Sequence, residues 1–531
     1  MYNKYNFSVL GFFFLILLLP FIGIISKITF DFYSLIQFLK NSYTHRIIFF
    51  SLYQAFLSAF ISCVLAIPFA LALNRHKNLK IVKIIISLCG FCFVIPSILI
   101  VYAVIKIFGY NGFLNTYFDI YNFFSFETIY GIKAILIAHI LLNTPFASRL
   151  LFQNLNNIPK KYYEISRSIR LSYLGNIIKL EIPVIKQNLF TIFSIIFSLC
   201  FLSFAIVMAL GGSPMYSTIE VAIYQYALFE LNFNKAIILS FIQIFICILF
   251  VFFGFFKLKG SNFFEVDISS YIHPHNNIKT IKISDFILIA IFTIFLFSPI
   301  ILIIINFFSN DFSNIFYDGN FIKAFFNSLI ISIISGSLVT IFGFIISILL
   351  VLNHKNVFLQ QIMFLSTSSI IIISPIIFSL GYFIVLNELR YIIFFKYLVI
   401  ILINCIFLIP FALLILFNNL KNIYLNYWDI KSSFRISLFD YFRILFPLMK
   451  KNCLYLFAFS TIITFGDFTI ISFFKDQNFE TLPSYLFRLI SVYRFNEASF
   501  VAGTILIISL LIYFLIDNFS YQGKSAIKTC R

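Results

Sequence analysis

Charged residues are scarce in this sequence. They make up 11% of its 531 residues, whereas soluble globular proteins carry about 25%. Hydrophobic residues make up 61%. A chain with so few charges is not a soluble globular domain, because it has too little polar surface to face water on all sides. The composition predicts an integral membrane protein that lies in the lipid bilayer.

Sequence signatures of ATPases, enzymes, metal sites and disulfide scaffolds are also missing. No G-x-x-x-x-G-K-[ST] phosphate loop occurs, so we expect no ATPase site within this chain. No cluster of acid–base, nucleophilic or metal-ligating residues occurs either, so we expect no catalytic residue, no metal and no cofactor. The eight cysteines are scattered, and the lone C-x-x-C of Cys89 and Cys92 has no second pair. We interpret these cysteines as small apolar packing residues.

Basic residues outnumber acidic ones by 38 to 20, but they are not gathered into one domain. They fall in alternate loops between apolar runs, which is the positive-inside pattern of membrane topology. This distribution excludes a nucleic-acid-binding domain and predicts that both termini are cytoplasmic. His76 and His354 stand beside lysines in two of the inner loops and are predicted to be solvated.

Apolar runs long enough to cross the hydrocarbon core, about 20 residues each, recur along the whole chain. Six lie on each side of a polar cytoplasmic linker at 257–284. The predicted spans are 8–26, 47–73, 84–108, 131–152, 189–210, 235–256, 285–308, 325–352, 358–386, 394–417, 453–474 and 500–517.

The two halves are similar in sequence. A polar insert at 153–187 has a counterpart at 418–452, and "NRHKN" at 74–78 has a counterpart in "NHKN" at 353–356. Six spans per half is an even number, so both copies insert with the same orientation. The sequence predicts an all-α membrane fold of two parallel six-helix repeats. The predicted halves are 1–256, with its core at 47–256, and 285–531, with its core at 325–517.

Each insert is predicted to form a short amphipathic helix. Glu164 and Asp429 are predicted to start the helices, where negative charge is favourable. Ile165, Ile169 and Leu171 supply an apolar face in the first insert. Pro183 and Pro447 are predicted to end the helical pattern before the next span. The inserts either bind a partner or lie on the membrane surface, and their duplication favours a partner.

The spacing from Glu164 to Pro183 resembles the EAA loop of ABC importer permeases, and Asp429 to Pro447 is one residue shorter. This resemblance implies a type-1 permease fold in which the inserts are coupling helices for separate ATPase subunits, in two copies. Arg170 and Arg435 stand where the motif keeps glycine. The turn that glycine permits is therefore expected to be altered.

The regions 200–243 and 465–507, which contain "TIEVAIYQ" and "TLPSYLFRLISVYR", resemble the permeases of thiamine ABC importers. The resemblance implies a multi-pass permease of the bacterial cytoplasmic (inner) membrane for thiamine or its phosphate esters. It also implies a periplasmic or extracellular substrate-binding protein as a partner, and no enzymatic activity. An iron(III) or other small-ion permease of the same family stays open, as does a proton-coupled secondary transporter.

Ionisable residues inside membrane spans are candidates for functional sites. Asp467 lies within the predicted span 453–474 and is a candidate to line the path or contact a cationic substrate. Glu220 and Tyr224, just outside a span, are candidates to contact the substrate path or the delivery protein. Pairing between helices is the structural alternative for Asp467.

Overall fold

The computed structural model of this chain describes residues 18–27, 32–119, 130–255, 279–309, 315, 318–352, 373–386, 392–434 and 438–528. Within these residues the protein is helical, with one isolated β-bridge between Asp476 and Phe479. Nine helical segments of the described part are long and apolar enough to cross a membrane. The prediction of an all-α integral membrane protein is confirmed. The nine segments are Ser42–Arg75, Ser97–Phe118, Ile132–Asn156, Tyr173–Phe201, Phe233–Phe250, Ile281–Ser309, Gly319–Val351, Ile393–Tyr424 and Phe495–Phe514.

The helices that precede the linker include one π-helical segment, Ile177–Glu181. The α-helices are α1 (18–26), α2 (Phe32–Lys40), α3 (Ser42–Arg75), α4 (Lys80–Phe91), α5 (Ser97–Phe108), α6 (Phe113–Phe118), α7 (Ile132–Asn156), α8 (Lys160–Ser168), α9 (Tyr173–Asn176), α10 (Ile182–Phe201), α11 (Ala205–Leu210), α12 (Ile219–Leu228) and α13 (Phe233–Phe255).

The remaining described helices follow the linker, which lies outside the described residues up to position 278. They are α14 (Lys279–Ser309), α15 (Gly319–Leu352), α16 (Pro375–Val385), α17 (Ile393–Phe434), α18 (Leu438–Phe465), α19 (Thr469–Phe474), α20 (Leu482–Ser491) and α21 (Phe495–Lys528).

Three apolar runs that were each predicted as one span are broken into two helices. The run 84–108 is divided between α4 and α5 next to Pro96, which has no backbone N–H to continue the helical ladder. The runs 189–210 and 453–474 are interrupted at 202–204 and 466–468. Hydropathy does not register these breaks, because the residues on both sides of each break are equally apolar.

The same order of helices occurs twice, which supports the internal duplication. A long helix, a break, a six-residue helix, a ten-residue helix and another long helix follow one another in α10–α13 and again in α18–α21. The N-terminus of each ten-residue helix is bound by a serine. Ser51 Oγ accepts a hydrogen bond from the Ile219 N–H at 2.9 Å, and Ser328 Oγ accepts one from the Leu482 N–H at 2.8 Å.

The chain divides into two compact units that are interleaved in sequence. One comprises Ile36–Ala222 and Phe245–Ser309, and the other comprises Met1–Leu35, Ile223–Ile244 and Asn310–Arg531. Helix α14, predicted as the first span of the second half, packs within the unit that contains α3. The halves 1–256 and 285–531 describe the duplication along the sequence and stay a prediction.

Small residues allow the long helices to approach one another closely, as is common in membranes. A Cβ atom built on Gly343 of α15 would lie 2.4 Å from the Ala412 Cβ atom of α17. In α3, Ala55, Ala59 and Ala66 are fully buried. These contacts replace the hydrophobic driving force that lipid cannot supply.

Candidate functional site

The first insert presents an apolar helix face that its own unit does not cover. In α8, Tyr163 and Ser166 are buried, whereas Tyr162, Ile165 and Ile169 are 54%, 58% and 63% exposed. Positions three and four residues apart lie on one side of a helix, so the three exposed residues form one stripe. We call these three residues the α8 apolar face. The predicted amphipathic helix is therefore present.

Glu164 lies in the middle of α8, so the prediction that it starts the helix is wrong. Pro159 occupies the N-cap position, and the helix begins at Lys160. Proline favours a helix start because its φ is preset and it has no N–H to leave unsatisfied. The Glu164 carboxylate lies 3.2 Å from the Lys160 ammonium group, and both side chains are exposed.

Arg170 makes the turn for which the motif uses glycine. Its φ is +50°, in the left-handed region that glycine adopts most readily. The Leu171 N–H donates to the Ser166 carbonyl at 3.0 Å and the Arg170 N–H to the Arg167 carbonyl at 3.1 Å. This pair of bonds is the Schellman motif that ends many helices. The expectation of an altered turn is therefore wrong for the backbone of the first insert.

Pro183 lies inside a continuous helical segment and does not end it. It is in the first turn of α10, directly after the π-helical segment and within Tyr173–Phe201. Glu181, two residues earlier, is fully buried. The Tyr163 hydroxyl donates to Glu181 Oε1 at 3.4 Å. This contact joins α8 to the segment that enters the membrane.

The second insert differs in its helix boundaries. Asp429 lies near the C-terminal end of α17, and the helix continues to Phe434. Arg435 lies outside the described residues. Pro447 is exposed and lies inside α18, so the prediction that it ends the helical pattern is wrong.

Asp467 lies in the break between α18 and α19. Its Oδ1 atom accepts hydrogen bonds from the backbone N–H groups of Thr469 at 2.9 Å and Ile470 at 3.3 Å, so it caps α19. Its Oδ2 atom is buried and has no hydrogen-bond partner among the described residues. One oxygen therefore serves the helix, and the other is available to a cation or a donor.

Glu220 and Tyr224 lie on α12, which the sequence analysis treated as part of an outer loop. Glu220 is 0% exposed and Tyr224 is 5% exposed. The Tyr224 ring packs edge-on against Phe473 of α19, with 5.5 Å between the ring centroids. Neither side chain lies on a surface that a delivery protein would touch. This buried helix is only ten residues long and mixes apolar with polar residues, so it does not stand out as a span.

The loop at 74–78, predicted to be an inner loop, is a buried junction, so the prediction that His76 is solvated is wrong. His76 is 2% exposed, and its Nε2 atom lies 3.1 Å from Asp285 Oδ2. Lys77 is also buried, and its Nζ atom donates to Asn156 Oδ1 at 3.1 Å. His354, in the counterpart loop, lies outside the described residues. The signal in the sequence that pointed to this junction was an acidic residue, Asp285, at the first position of the apolar run 285–308.

The chain is similar in sequence to membrane permeases over most of its length. It is 29% identical over 490 residues to Thiamine transport system permease protein ThiP of Haemophilus influenzae, covering 90% of this chain and 89% of that protein. The proteins of the same name are 26% identical in Salmonella typhimurium and 27% identical in Brucella abortus. These matches cover 90% and 92% of this chain, and 90% of each relative. No protein-family model matches.

Proposed function

We propose that this multi-pass membrane protein is the permease subunit of an ABC importer for thiamine or its phosphate esters. The observation that carries the proposal is the similarity to thiamine transport permeases, which runs through nine-tenths of the chain and includes both inserts. The protein is a transport subunit and forms the translocation path. These relatives do not favour the iron(III) permease or the proton-coupled transporter.

Separate ATPase subunits, in two copies, supply the energy, since no phosphate loop occurs in this sequence. The α8 apolar face supports docking of one copy, because three large side chains on one side of a short helix are exposed. In this proposal ATP-driven closure of the ATPases moves the inserts and shifts the permease between outward- and inward-facing states. The residues assigned to coupling are Glu164, Arg170, Pro183, Asp429, Arg435 and Pro447.

A soluble binding protein delivers the substrate to the opposite side of a bacterial inner membrane, and both termini are cytoplasmic. Thiamine is a cation, so the buried Oδ2 atom of Asp467 is suited to contact it or to set the charge of the path. The contact of Tyr224 with Phe473, on the helix that Asp467 caps, supports assigning Tyr224 to the same path. We assign Glu220 to the path as well, because it lies on the same helix as Tyr224.

The test is transport by the complete importer, with its ATPases and binding protein, in sealed vesicles. We expect saturable uptake of labelled thiamine that requires ATP and the binding protein. Uptake of iron(III) in place of thiamine would contradict the substrate. Uptake of thiamine driven by a proton gradient without ATP would contradict the ABC mechanism.

Asp467→Asn tests the role of the carboxylate within this importer. Asparagine also caps helices, so α19 is expected to remain intact while the negative charge is lost. A hydrogen bond to a charged group contributes about 1.5–3 kcal/mol, so thiamine uptake at subsaturating concentration should fall by roughly tenfold or more. Glu230→Gln, at an exposed ion pair with Lys235, is the control. Unchanged uptake by Asp467→Asn would show that Asp467 only caps the helix.

A further inference from the structure

A buried charged cluster lies at the inner end of α3. The Arg75 guanidinium donates twice to Asp285, from Nε to Oδ2 at 2.7 Å and from Nη2 to Oδ1 at 2.6 Å. Both side chains are 4% exposed. His76 Nε2 lies 3.1 Å from Asp285 Oδ2, and the His76 ring stacks on Phe286 at 4.8 Å between centroids. The Asp285 carboxylate therefore has three close contacts with Arg75, the last residue of α3, and His76, which caps the helix.

This cluster also reaches the first insert. The Arg75 Cζ atom lies 5.3 Å from the ring centroid of Tyr173, which is in α9 of the insert. Glu181, buried in the π-helical segment, adds negative potential at Arg75. Lys77 donates to Asn156, the last residue of α7, which already lies within the insert at 153–187. The segment 75–77 thus contacts the insert, the helix that leads into it, and α14.

Packing alone does not explain why charged residues are used here. Burying two charges costs free energy that their attraction only partly offsets, and apolar residues of similar size are often as stabilising. The bidentate pair of hydrogen bonds fixes the orientation of the Arg75 guanidinium relative to the Asp285 carboxylate. It connects α3 and α14 beside Tyr173, in the same insert that carries the α8 apolar face.

We propose that Arg75 and Asp285 are positioning residues that transmit movement of the first insert to α14. The inference rests on the proposed function, since it assumes that an ATPase subunit moves the insert. When the insert moves, Tyr173 and Glu181 carry Arg75 with them, and Arg75 carries Asp285. Helix α14 then follows the insert as one body, and without the bond the insert moves alone.

The test compares the wild-type importer in vesicles with Asp285→Asn and Arg75→Lys. Three quantities are measured: the ATPase that co-purifies, the rate of ATP hydrolysis, and the thiamine imported per ATP hydrolysed. We expect co-purification and hydrolysis to persist, while thiamine per ATP falls about tenfold, within the range of coupling between sites. The charge-reversed double variant, Arg75→Asp with Asp285→Arg, should recover part of the loss. Glu230→Gln, at an exposed ion pair, should behave as wild type.

Two results would overturn the proposal. If both single variants assemble and import as much thiamine per ATP as the wild type, the bond does not transmit movement. If both fail to assemble, the cluster serves folding alone. Arg75→Lys guards against a trivial folding defect, because it keeps a positive charge beside Asp285 and loses only the two-pronged geometry.

Amide hydrogen exchange separates this proposal from the proposed substrate. ATP should change the exchange of the first turns of α14 in the wild-type complex, and this change should disappear in Asp285→Asn. The measurement needs no substrate, so a complex that fails to import thiamine but shows this pattern would refute only the proposed function. A change in α14 that persists in Asp285→Asn would overturn the coupling role.

Discussion

Replacing Arg170 by glycine should stabilise the first insert, although it removes a charged side chain. Arg170 has a φ of +50° and closes the Schellman motif at the end of α8. An L-residue in this region is disfavoured by about 1–2 kcal/mol, and glycine is not. The side chain of Arg170 is exposed, so its removal is expected to leave no cavity.

The net gain is smaller than the strain relieved. Glycine has more conformational freedom in the unfolded chain, which offsets roughly 0.5–1 kcal/mol. We therefore expect a gain of about 0.5 kcal/mol, which is roughly a twofold slower opening of the insert. Arg167→Gly is the matched control, and it is expected to destabilise the insert. Arg167 lies in the last turn of α8, where glycine in a helical conformation should cost about 1 kcal/mol.

Amide hydrogen exchange of the α8 region in the purified permease measures both changes. Exchange should slow in Arg170→Gly and accelerate roughly fivefold in Arg167→Gly. ATPase co-purification should be retained in Arg170→Gly, because the α8 apolar face is unchanged. Faster exchange in Arg170→Gly than in the wild type would refute the assignment of a strained turn. Equal effects of the two variants would refute it as well.

Three further variants test the α8 apolar face, the packing of the long helices and the N-terminal end of α15. Ile165→Asp should lower the amount of ATPase that co-purifies in a pull-down. The new carboxylate would lose its water when the partner docks on the α8 apolar face, and burying an unpaired charge costs free energy. Gly343→Leu should destabilise the permease by about 1–3 kcal/mol in thermal unfolding, since a Cβ atom there would lie 2.4 Å from the Ala412 Cβ. Burial raises the pKa of Asp318, but the hydrogen bond from Tyr485 at 2.7 Å and nearby arginines hold it below the usual value of 3.8. A carboxyl group whose pKa is lowered by folding stabilises the folded state at pH values above its ordinary pKa. Thermal stability should therefore fall as the pH drops below about 4. Asp318→Asn should reduce this dependence on pH.

The first two of these variants each have a control on the same chain. Phe229→Asp, at an exposed apolar residue away from the inserts, should leave ATPase co-purification unchanged. Gly319→Ala adds a Cβ atom where nothing lies within 4 Å, so it should not destabilise packing. Equal loss of ATPase from Ile165→Asp and Phe229→Asp would contradict docking on α8. A thermal stability that falls identically in Asp318→Asn and wild type would contradict the role of that carboxylate.

Local sequence predicted the membrane class and the inserts because both depend on residue type at close spacing. Few charges and long apolar runs suffice to indicate spans, and Ile165 and Ile169 of the predicted apolar face occur at helical spacing. The breaks beside Ser203 and Asp467 were not predicted, because the flanking residues are as apolar as the spans. The burial of α12 was missed for a different reason. Its Glu220 and Tyr224 are polar, and only its surroundings determine that they are enclosed.

The sequence by itself determined that this chain lies in a membrane, carries its inserts twice and places its basic residues in alternate loops. These properties arise from the free energy of transferring each residue to lipid or water, which depends little on distant residues. Only the tertiary structure decided that Arg75 and His76 are buried against Asp285 and that Arg170 takes a left-handed backbone. Arg75 and Asp285 are 210 residues apart in sequence. Their pairing is possible because folding brings α14 against α3, and only that approach makes burial of either charge tolerable.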